Sequence, residues 1–214
     1  MFDDILDTNI DVGKLEDSKP QYNKSNYSNR NFQSKPDVLE DPYLPVALYV
    51  DRDFPAEVKE QLYGLASKLV AKKITIRVNG DDKAFIEKLL TLSEKFIEVY
   101  IPWKKFNDID SKLYFNSITS KEIAKQNFSG WDKIPDSIKA LLARNVRMVF
   151  GNKNNSIVLC VITWSEDAAS RHTEVTAKTG RSSFIIKTAS KFGFPVINIA
   201  KANSMTVLEK TFDI

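Results

Sequence analysis

Cysteine, histidine and long apolar runs are all scarce in this chain of 214 residues, which has one cysteine and one histidine. Cys160 lies alone in an apolar stretch, so disulfide bonds cannot form a framework, and a cytoplasmic, intracellular location is expected. One cysteine and one histidine cannot build a zinc cluster, and we expect neither a metal nor a cofactor. Because no apolar run approaches the roughly 18 residues of a membrane span, we expect no membrane association.

Charge is distributed unevenly along the chain. Residues 1–44 carry nine acidic and five basic side chains, whereas the remaining residues carry nineteen acidic and twenty-six basic ones. The formal net charge of +3 therefore combines an acidic N-terminal part with a basic body. A basic body gives modest support to a polyanionic partner.

The first 40 residues have the composition of a disordered tail. Serine, asparagine, lysine, glutamine and proline dominate residues 18–36, without any hydrophobic period. The segment from Met1 to Leu6 places two acids between apolar side chains and could fold as one amphipathic turn on a partner protein. The alternative is an ordinary frayed terminus.

Apolar strands and amphipathic helices alternate from Pro45 onward. The apolar runs 46–50, 74–78, 96–101, 157–164 and 195–199 predict strands, and the segments between them predict helices. Repeats of strand, helix and strand give parallel sheets that are buried on both faces. We therefore predict one α/β domain over residues 45–214, a Rossmann-like parallel sheet with helices on both faces. Residues 205–214 could add either an edge strand or a helix.

Three loops should meet at the carboxyl edge of this sheet, where parallel sheets bind their ligands. The segment Thr179-Gly180-Arg181-Ser182-Ser183 offers backbone N–H groups, hydroxyls, a helix dipole and a guanidinium, which suit a phosphate. The turn Asp51-Arg52-Asp53 offers Arg52, oriented by an aspartate. The third loop, from Asn79 to Lys83, offers Lys83.

Each loop also has a purely structural interpretation: a surface turn at residues 51–53, a helix cap at Asp81, and an N-cap with hydroxyl neighbours around Gly180. Arg144 and Asn145 interrupt an otherwise apolar helix, where they either form a solvated face or reach into the cleft. Trp103 follows a proline at a strand end and is a candidate for stacking on a base.

Five short motifs follow one another between residues 45 and 200. They are Gly80-Asp81-Asp82-Lys83-Ala84-Phe85, Tyr100-Ile101-Pro102-Trp103, Ala143-Arg144-Asn145 with Val149-Phe150-Gly151, Val161-Ile162-Thr163-Trp164, and Gly180 through Ile199. In the same order they are similar to GADxAF, ylPw, aRN…vlG, vvcWT and GGTgqAI…A…GiPVfNL of the SLOG superfamily. The chain resembles a small, phage-type member of this superfamily, which includes the DNA-processing-protein-A single-strand binders and the LOG phosphoribohydrolases. The resemblance implies a Rossmann-like sheet whose cleft binds nucleotides or nucleic-acid phosphate, in the host cytoplasm if the chain is phage-encoded.

The sequence departs from the family pattern at the cleft. Gly180-Arg181 stands where the family has a glycine pair, and Val50-Asp51-Arg52 keeps only the arginine of a tGsR turn. Residues 183–187 lack the glutamate that LOG enzymes carry on the helix after the loop. No nucleophile elbow, Walker A loop or zincin motif is present either. The resemblance therefore implies binding in preference to catalysis.

Three functions follow as hypotheses. The first is a binder of nucleic acid, specifically single-stranded DNA, with base or sugar contacts from Asp82 and Trp103 and phosphate contacts from Arg52, Lys83, Arg144, Asn145, Thr179, Gly180, Arg181, Ser182 and Ser183. The second is a nucleotide-binding or nucleotide N-glycoside-processing enzyme, with Asp51 and Asp82 as candidate acids. The third is an interaction protein that keeps the fold without the site. A homo-oligomer is compatible with all three.

Overall fold

The computed structural model describes residues 44–152 and 156–214. All of them belong to one compact unit, Pro36–Ile214. The predictions of a disordered tail over residues 1–40 and of a partner-binding turn between Met1 and Leu6 lie outside the described residues.

Five short strands form the central sheet. They are β1 (Val46–Leu48), β2 (Ile76–Asn79), β3 (Ile97–Tyr100), β4 (Val161–Thr163) and β5 (Val196–Asn198). All neighbouring strands pair in parallel in the order β3-β2-β1-β4-β5, with Leu48 opposite Val78 on one side and opposite Ile162 on the other. The predicted Rossmann-like parallel sheet is confirmed.

Six α-helices occur within the described residues. They are α1 (Ala56–Ala71), α2 (Lys83–Leu90), α3 (Ile118–Asn127), α4 (Asp136–Phe150), α5 (Ser183–Lys191) and α6 (Ser204–Phe212). α1 and α2 pack together, and α6 is joined to α1 by the ion pairs Lys68–Glu209 and Lys72–Asp213. α3, α4 and α5 form a second packed group, so helices cover both faces of the sheet, as predicted. None of these helices is long and apolar enough to cross a membrane.

Burial follows the residue types of these elements. Every residue of β1, β2 and β4 is buried, as expected for strands covered by helices on both faces. α1 buries Val58, Leu62 and Leu65 along one side, which is the spacing of an amphipathic helix. These side chains join one large apolar core beneath the sheet's helices.

One predicted strand is shorter in the structure, and the structure decides the type of the C-terminal element. The apolar run 157–164 gives the sheet only Val161–Thr163. The Val158 N–H instead bonds to Val149 O (3.0 Å), and the Leu159 N–H bonds to Pro45 O (2.8 Å), before the ladder of β4 begins. At the C-terminal end, Ser204–Phe212 is a helix and not an edge strand.

The strand order reverses at β1. The chain passes from β1 to β2 and β3 on one side of the sheet and later returns to place β4 on the other side of β1. Open α/β sheets bind ligands at such a reversal, beyond the carboxyl ends of the strands. The loops after β1 and β4 therefore frame the expected site.

Candidate functional site

An ion-pair cluster joins the carboxyl ends of β1 and β4. Asp51, which follows β1, is only 3% exposed. Its Oδ1 accepts hydrogen bonds from the Asp53 N–H (3.0 Å) and from Arg181 Nη1 (3.2 Å). Arg181 Nη2 lies 3.1 Å from Asp53 Oδ2. The guanidinium of Arg181 thus spans the reversal in strand order, from the loop before α5 to the turn after β1.

The second carboxylate oxygen of Asp51 is buried and has no hydrogen-bond partner among the described residues. Burial raises the pKa of the Asp51 carboxyl, and the hydrogen bond from the Asp53 N–H and the charge of Arg181 oppose that rise only in part. Most buried polar atoms in folded proteins are hydrogen-bonded. Asp51 can therefore accept a further donor from a ligand or retain a proton.

The loop before α5 is a short 3-10 segment, Ala177–Ser182, capped by Thr176. Within it, Gly180 has φ 58° and ψ −143°, a conformation that only glycine adopts without strain. A Cβ built on Gly180 would meet no atom within 4 Å. The backbone at Gly180 is therefore open to an approaching ligand.

Two hydroxyl groups of this loop bond within the protein. Ser182 Oγ donates to Trp164 O (2.8 Å) and lies 3.2 Å from Thr163 Oγ1. Thr179 Oγ1 accepts from the Thr176 N–H (2.9 Å). Both side chains therefore shape the loop. Ser183, the first residue of α5, is half-buried at the helix N-terminus.

Asp167 holds the loop in place through four hydrogen bonds. Its Oδ1 accepts from Ser165 Oγ (2.8 Å) and the Ala169 N–H (3.3 Å), and its Oδ2 accepts from the hydroxyls of Thr176 and Thr179. Burial alone would raise the pKa of Asp167, but these hydrogen bonds outweigh it and lower the pKa to about 2. From the sequence, Asp167 was one of six acids near the cleft and a candidate partner of Arg181. Its role in holding the loop was missed, although two threonines of that loop were a signal for a carboxylate partner.

Replacing Asp167 by asparagine is expected to lower the midpoint of thermal unfolding at pH 7 and to leave it unchanged near pH 2. Because the folded pKa is depressed, the carboxylate contributes stability above its unfolded pKa of about 3.9, and this contribution is lost as the pH falls towards 2. Thermal unfolding between pH 2 and pH 7 measures the difference, with the exposed Asp110→Asn as control. A deficit that persists at pH 2 would contradict this role.

A buried network joins the carboxyl end of β2 to α4. Arg144 is 1% exposed, and both of its terminal nitrogens bond to Asp81, with Nη2 3.0 Å from Oδ2. Asn145 Oδ1 accepts from Arg144 Nε (3.1 Å) and Nη2 (2.8 Å). Asn79 Nδ2 donates to Asp81 Oδ2 (2.8 Å) and to Val50 O (2.7 Å), which ties the network to β1. Arg144 and Asn145 thus hold the loop after β2 and neither form a solvated face nor reach an open cleft.

Asp82, and not Asp81, caps α2. Asp82 Oδ1 accepts from the Phe85 N–H (3.0 Å), and its Oδ2 lies 2.6 Å from Lys59 Nζ. Lys59 also donates to Arg52 O (2.6 Å). This lysine, which sequence reasoning did not single out, therefore links the turn after β1 to the loop after β2.

The segment after β3 closes against the loop after β2. A Cβ on Gly80 would lie 2.6 Å from Ile101 Cγ2, so glycine is required there by close packing. Asn107 Nδ2 donates to Gly80 O (2.9 Å). Lys83 Nζ lies 3.8 Å from Asp108 Oδ2, and Trp103 is 41% exposed.

The predicted site residues form three groups along the carboxyl edge. The group at the reversal between β1 and β4 contains Arg52, Thr179, Gly180, Arg181, Ser182 and Ser183. The group beyond β2 contains Asp82, Arg144 and Asn145, and the group on the β3 side contains Lys83 and Trp103. Neighbouring strands lie about 4.8 Å apart, so the edge from β4 to β3 extends over about 15 Å.

Charges of both signs alternate along this edge. Every predicted cation has a carboxylate within 4 Å: Arg52 has Asp53, Lys83 has Asp108, Arg144 has Asp81, and Arg181 has Asp51 and Asp53. Lys178, a further exposed cation beside Gly180, is paired with Glu166. A phosphate that binds here must therefore compete with carboxylates for these cations. Exposed ion pairs are weak, so they are the ones that a phosphate displaces most easily.

No protein-family model, curated protein or solved structure matches the chain. The function is therefore inferred from the contacts, burial and charges of the site.

Proposed function

We propose that the protein binds single-stranded DNA and holds its phosphates at the carboxyl edge of the sheet, between the turn after β1 and the loop before α5. One observation carries this proposal. Arg181 stands at the N-terminus of α5, beside the open backbone of Gly180, and lies at the reversal in strand order. Backbone N–H groups, a helix dipole and a guanidinium at one point favour a phosphate.

We assign the predicted residues two different roles. The contacts to phosphate come from Arg52, Gly180, Arg181 and Ser183, with Lys178 added to this group. Thr179, Ser182, Arg144 and Asn145 act as positioning residues, because the two hydroxyls, the guanidinium and Asn145 Oδ1 are already bonded within the protein. Lys83 and Asp82 lie further along the same edge and contact the DNA beyond the first bound phosphate.

Binding by this site requires an exchange of ion-pair partners. Asp53 is 66% exposed and Asp51 is buried, so the Arg181–Asp53 pair is the weaker of the two. An arriving phosphate takes the place of Asp53 at Arg181 Nη2, while Asp51 keeps the guanidinium oriented. Such a site binds a polyanion with moderate affinity and with strong dependence on salt.

We further propose that the chain is a small, phage-type member of the SLOG superfamily and acts inside the cell as a binder and not as an enzyme. Support comes from the five motifs between residues 45 and 200 and from their order along a Rossmann-like sheet. A protein partner of the segment from Met1 to Leu6 and a homo-oligomeric state remain proposals of the same kind.

A second candidate function is a nucleotide site with N-glycoside chemistry. The observation that favours it is the buried Oδ2 of Asp51, which has no hydrogen-bond partner among the described residues. A carboxyl whose pKa is raised by burial can donate a proton to a leaving group or accept a bond from a sugar hydroxyl. In the nucleotide site Asp51 contacts the ligand directly, whereas in the proposed DNA-binding site it only orients Arg181.

The direct test of the first proposal is the salt dependence of binding to an oligonucleotide. We expect the parent to bind single-stranded DNA more tightly than a duplex of equal length. Arg181→Gln keeps a hydrogen-bond donor for Asp51 but removes the charge. It should lower the slope of log K against log salt by about 0.7, the value for one phosphate contact on a single strand, at a temperature where circular dichroism shows the variant to be folded.

Arg171→Gln is the matched control, because Arg171 is an exposed arginine in the segment before the loop. It should leave both the affinity and the salt slope unchanged. An identical slope for the parent and Arg181→Gln would remove Arg181 from the phosphate site.

A further inference from the structure

Exposed apolar side chains are concentrated in one segment on the β3 side of the carboxyl edge. Five large apolar side chains are exposed within the described residues, and four of them lie between residues 103 and 118: Trp103 (41%), Tyr114 (38%), Phe115 (70%) and Ile118 (78%). Scattered exposed apolar residues are normal, but a contiguous group marks a binding surface.

These side chains stand on a backbone that is firmly held. The Ile101 N–H donates to Leu113 O (3.1 Å), and Asn116 Nδ2 donates to Pro102 O (2.9 Å). The segment 113–116 therefore runs beside residues 101–102, so the backbone that carries Tyr114 and Phe115 lies next to the residue before Trp103.

A buried arginine fixes the same segment from below. Arg147 on α4 is fully buried and donates to Leu113 O (2.7 Å) and to Asn116 Oδ1 (3.0 Å). Its guanidinium also lies 5.2 Å from the ring centre of Tyr100. The residues on either side of Tyr114 and Phe115 are thus anchored, and the two exposed rings stand on a backbone that is held in place. Rigid aromatic rings bind at a low cost in conformational entropy.

The charge around these rings is favourable to a polyanion. Lys104, Lys105, Lys112 and Lys121 are exposed and form no ion pair within the described part of the chain. Asp110 and Glu122 oppose them, which leaves an excess of positive charge. An open depression of about 380 Å³ beginning at Ile118 is lined by Lys121, Lys125 and Lys139 together with Glu122 and Asp136. Lys125 is paired with Asp132 and Lys139 with Asp136, so the unpaired positive charge comes from the four lysines named first. Aromatic rings between lysines are typical of surfaces that bind single-stranded nucleic acid.

The surface is also continuous with the carboxyl edge. Asn107, in the same segment, donates to Gly80 O (2.9 Å) and to Asp81 O (3.1 Å). Lys83 pairs with Asp108 across the same contact. A single strand of DNA whose phosphates are bound between β1 and β4 can therefore continue past β2 to the aromatic rings beyond β3, about 15 Å away.

We propose that Trp103, Tyr114 and Phe115 form a stacking surface for unpaired bases, the second half of a single-stranded nucleic-acid site. This inference rests on the proposed function and adds contacts to the bases of the DNA, which the phosphate contacts do not touch. Stacking is tolerant of sequence, so the surface selects for single strands and not for a particular base.

The test compares two probes of equal length, an oligothymidylate and an abasic deoxyribose-phosphate strand. Phe115→Ala is expected to weaken binding of oligothymidylate by about 5- to 150-fold, the range for losing one stacked base. Its salt slope and its binding of the abasic strand should not change. Phe115→Trp should restore the affinity, because a larger ring stacks at least as well.

Val207→Ala is the matched control, because Val207 is 41% exposed on α6 and away from the segment. It should bind both probes like the parent. Phe115 is 70% exposed, so its replacement should leave thermal unfolding unchanged.

The outcomes separate the two proposals. If Phe115→Ala binds oligothymidylate like the parent while Arg181→Gln lowers the salt slope, the stacking surface is overturned and the phosphate site stands. If Phe115→Ala weakens binding but Arg181→Gln has no effect, the stacking surface stands without that phosphate site. If the parent binds neither probe, and its sedimentation shows self-association that Phe115→Ala abolishes, the surface joins two copies and the stacking proposal is wrong.

Discussion

Replacing Arg144 by methionine is expected to lower the free energy of unfolding by about 3–5 kcal/mol, the usual result of removing one partner from a buried ion pair. Arg144 is 1% exposed and bonds to both carboxylate oxygens of Asp81. Methionine keeps an unbranched apolar stem but leaves Asp81 without its cation and Asn145 Oδ1 without two donors. The effect is large because the cost of the uncompensated carboxylate adds to the lost hydrogen bonds.

Denaturant unfolding monitored by tryptophan fluorescence measures this loss. Asp81→Asn introduced into Arg144→Met should recover part of the stability, because the charge without a partner is then removed. Arg171→Met, which changes an exposed arginine, should stay within about 0.5 kcal/mol of the parent. A loss of less than 1 kcal/mol for Arg144→Met would show that the pair does not hold the loop after β2.

The double variant Asp51→Asn, Asp53→Asn is expected to bind single-stranded DNA more tightly than the parent. It removes both carboxylates that pair with Arg181, and one of them, Asp53, is also the carboxylate nearest to Arg52. Arg181 and Arg52 already contact phosphate in the parent, so the salt slope should change little, but no ion pair with Asp53 has to be broken first. The affinity should rise by up to about 5-fold, the equivalent of roughly 1 kcal/mol for an exposed ion pair. Asparagine keeps the shape of each side chain and an oxygen that can accept from the Asp53 backbone N–H.

The affinity of the parent for single-stranded DNA should depend on pH through Asp51, and the double variant should lose this dependence. Burial raises the pKa of Asp51, so the parent should bind more tightly as the pH falls through that pKa and protonation releases Arg181. For stability the sign is the same: the contribution of Asp51 is present below its unfolded pKa and is lost as the pH rises through the folded one. The double variant should lack both dependences.

A matched control and the competing hypothesis complete this experiment. Glu60→Gln with Glu209→Gln removes two negative charges from pairs with Lys88 and Lys68, on the helices, and should leave the affinity for single-stranded DNA unchanged. If the double aspartate variant instead loses all affinity for nucleotides, Asp51 contacts the ligand directly. That result would favour the nucleotide N-glycoside site over the DNA-binding site.

The fold followed from local patterns in the sequence. Apolar runs without alternation predict buried parallel strands, and all five are present in a Rossmann-like order. The weak points were the ends of elements. Leu159 is as apolar as its neighbours in β4, but its N–H bonds to Pro45 O, so it precedes the strand. Such a bond depends on a residue more than one hundred positions away and leaves no local signal.

The candidate site could be predicted in position but not in contacts. Parallel strands bring their carboxyl ends together, so the loops at Asp51, Asp81 and Gly180 were expected at one edge. The partner of each cation was not visible, because Arg181 pairs with Asp51 across 130 positions and Arg144 with Asp81 across 63. The burial of Arg144 was not predicted either, because the sequence left open whether it faces solvent or the cleft, whereas in the structure every residue of α4 from Leu142 to Val149 is buried.

The aromatic surface illustrates a different limit. The segment 104–118 has no hydrophobic period in the sequence, so Tyr114 and Phe115 could not be assigned to a surface or a core. Their exposure is set by Arg147 and Asn116, which hold the backbone on either side of them. Only Trp103, beside a strand end, could be picked out from the sequence.

Hydrogen–deuterium exchange of the full chain, with and without a single-stranded oligonucleotide, tests the central claim most directly. Binding should slow exchange of the backbone amides at residues 178–184 and 51–54, because phosphate takes up the N–H groups at the reversal between β1 and β4. Amides in α6, joined to α1 and distant from the strand ends, should exchange as before. Binding with protection confined to other segments, or no binding at low salt, would contradict a phosphate site at this edge.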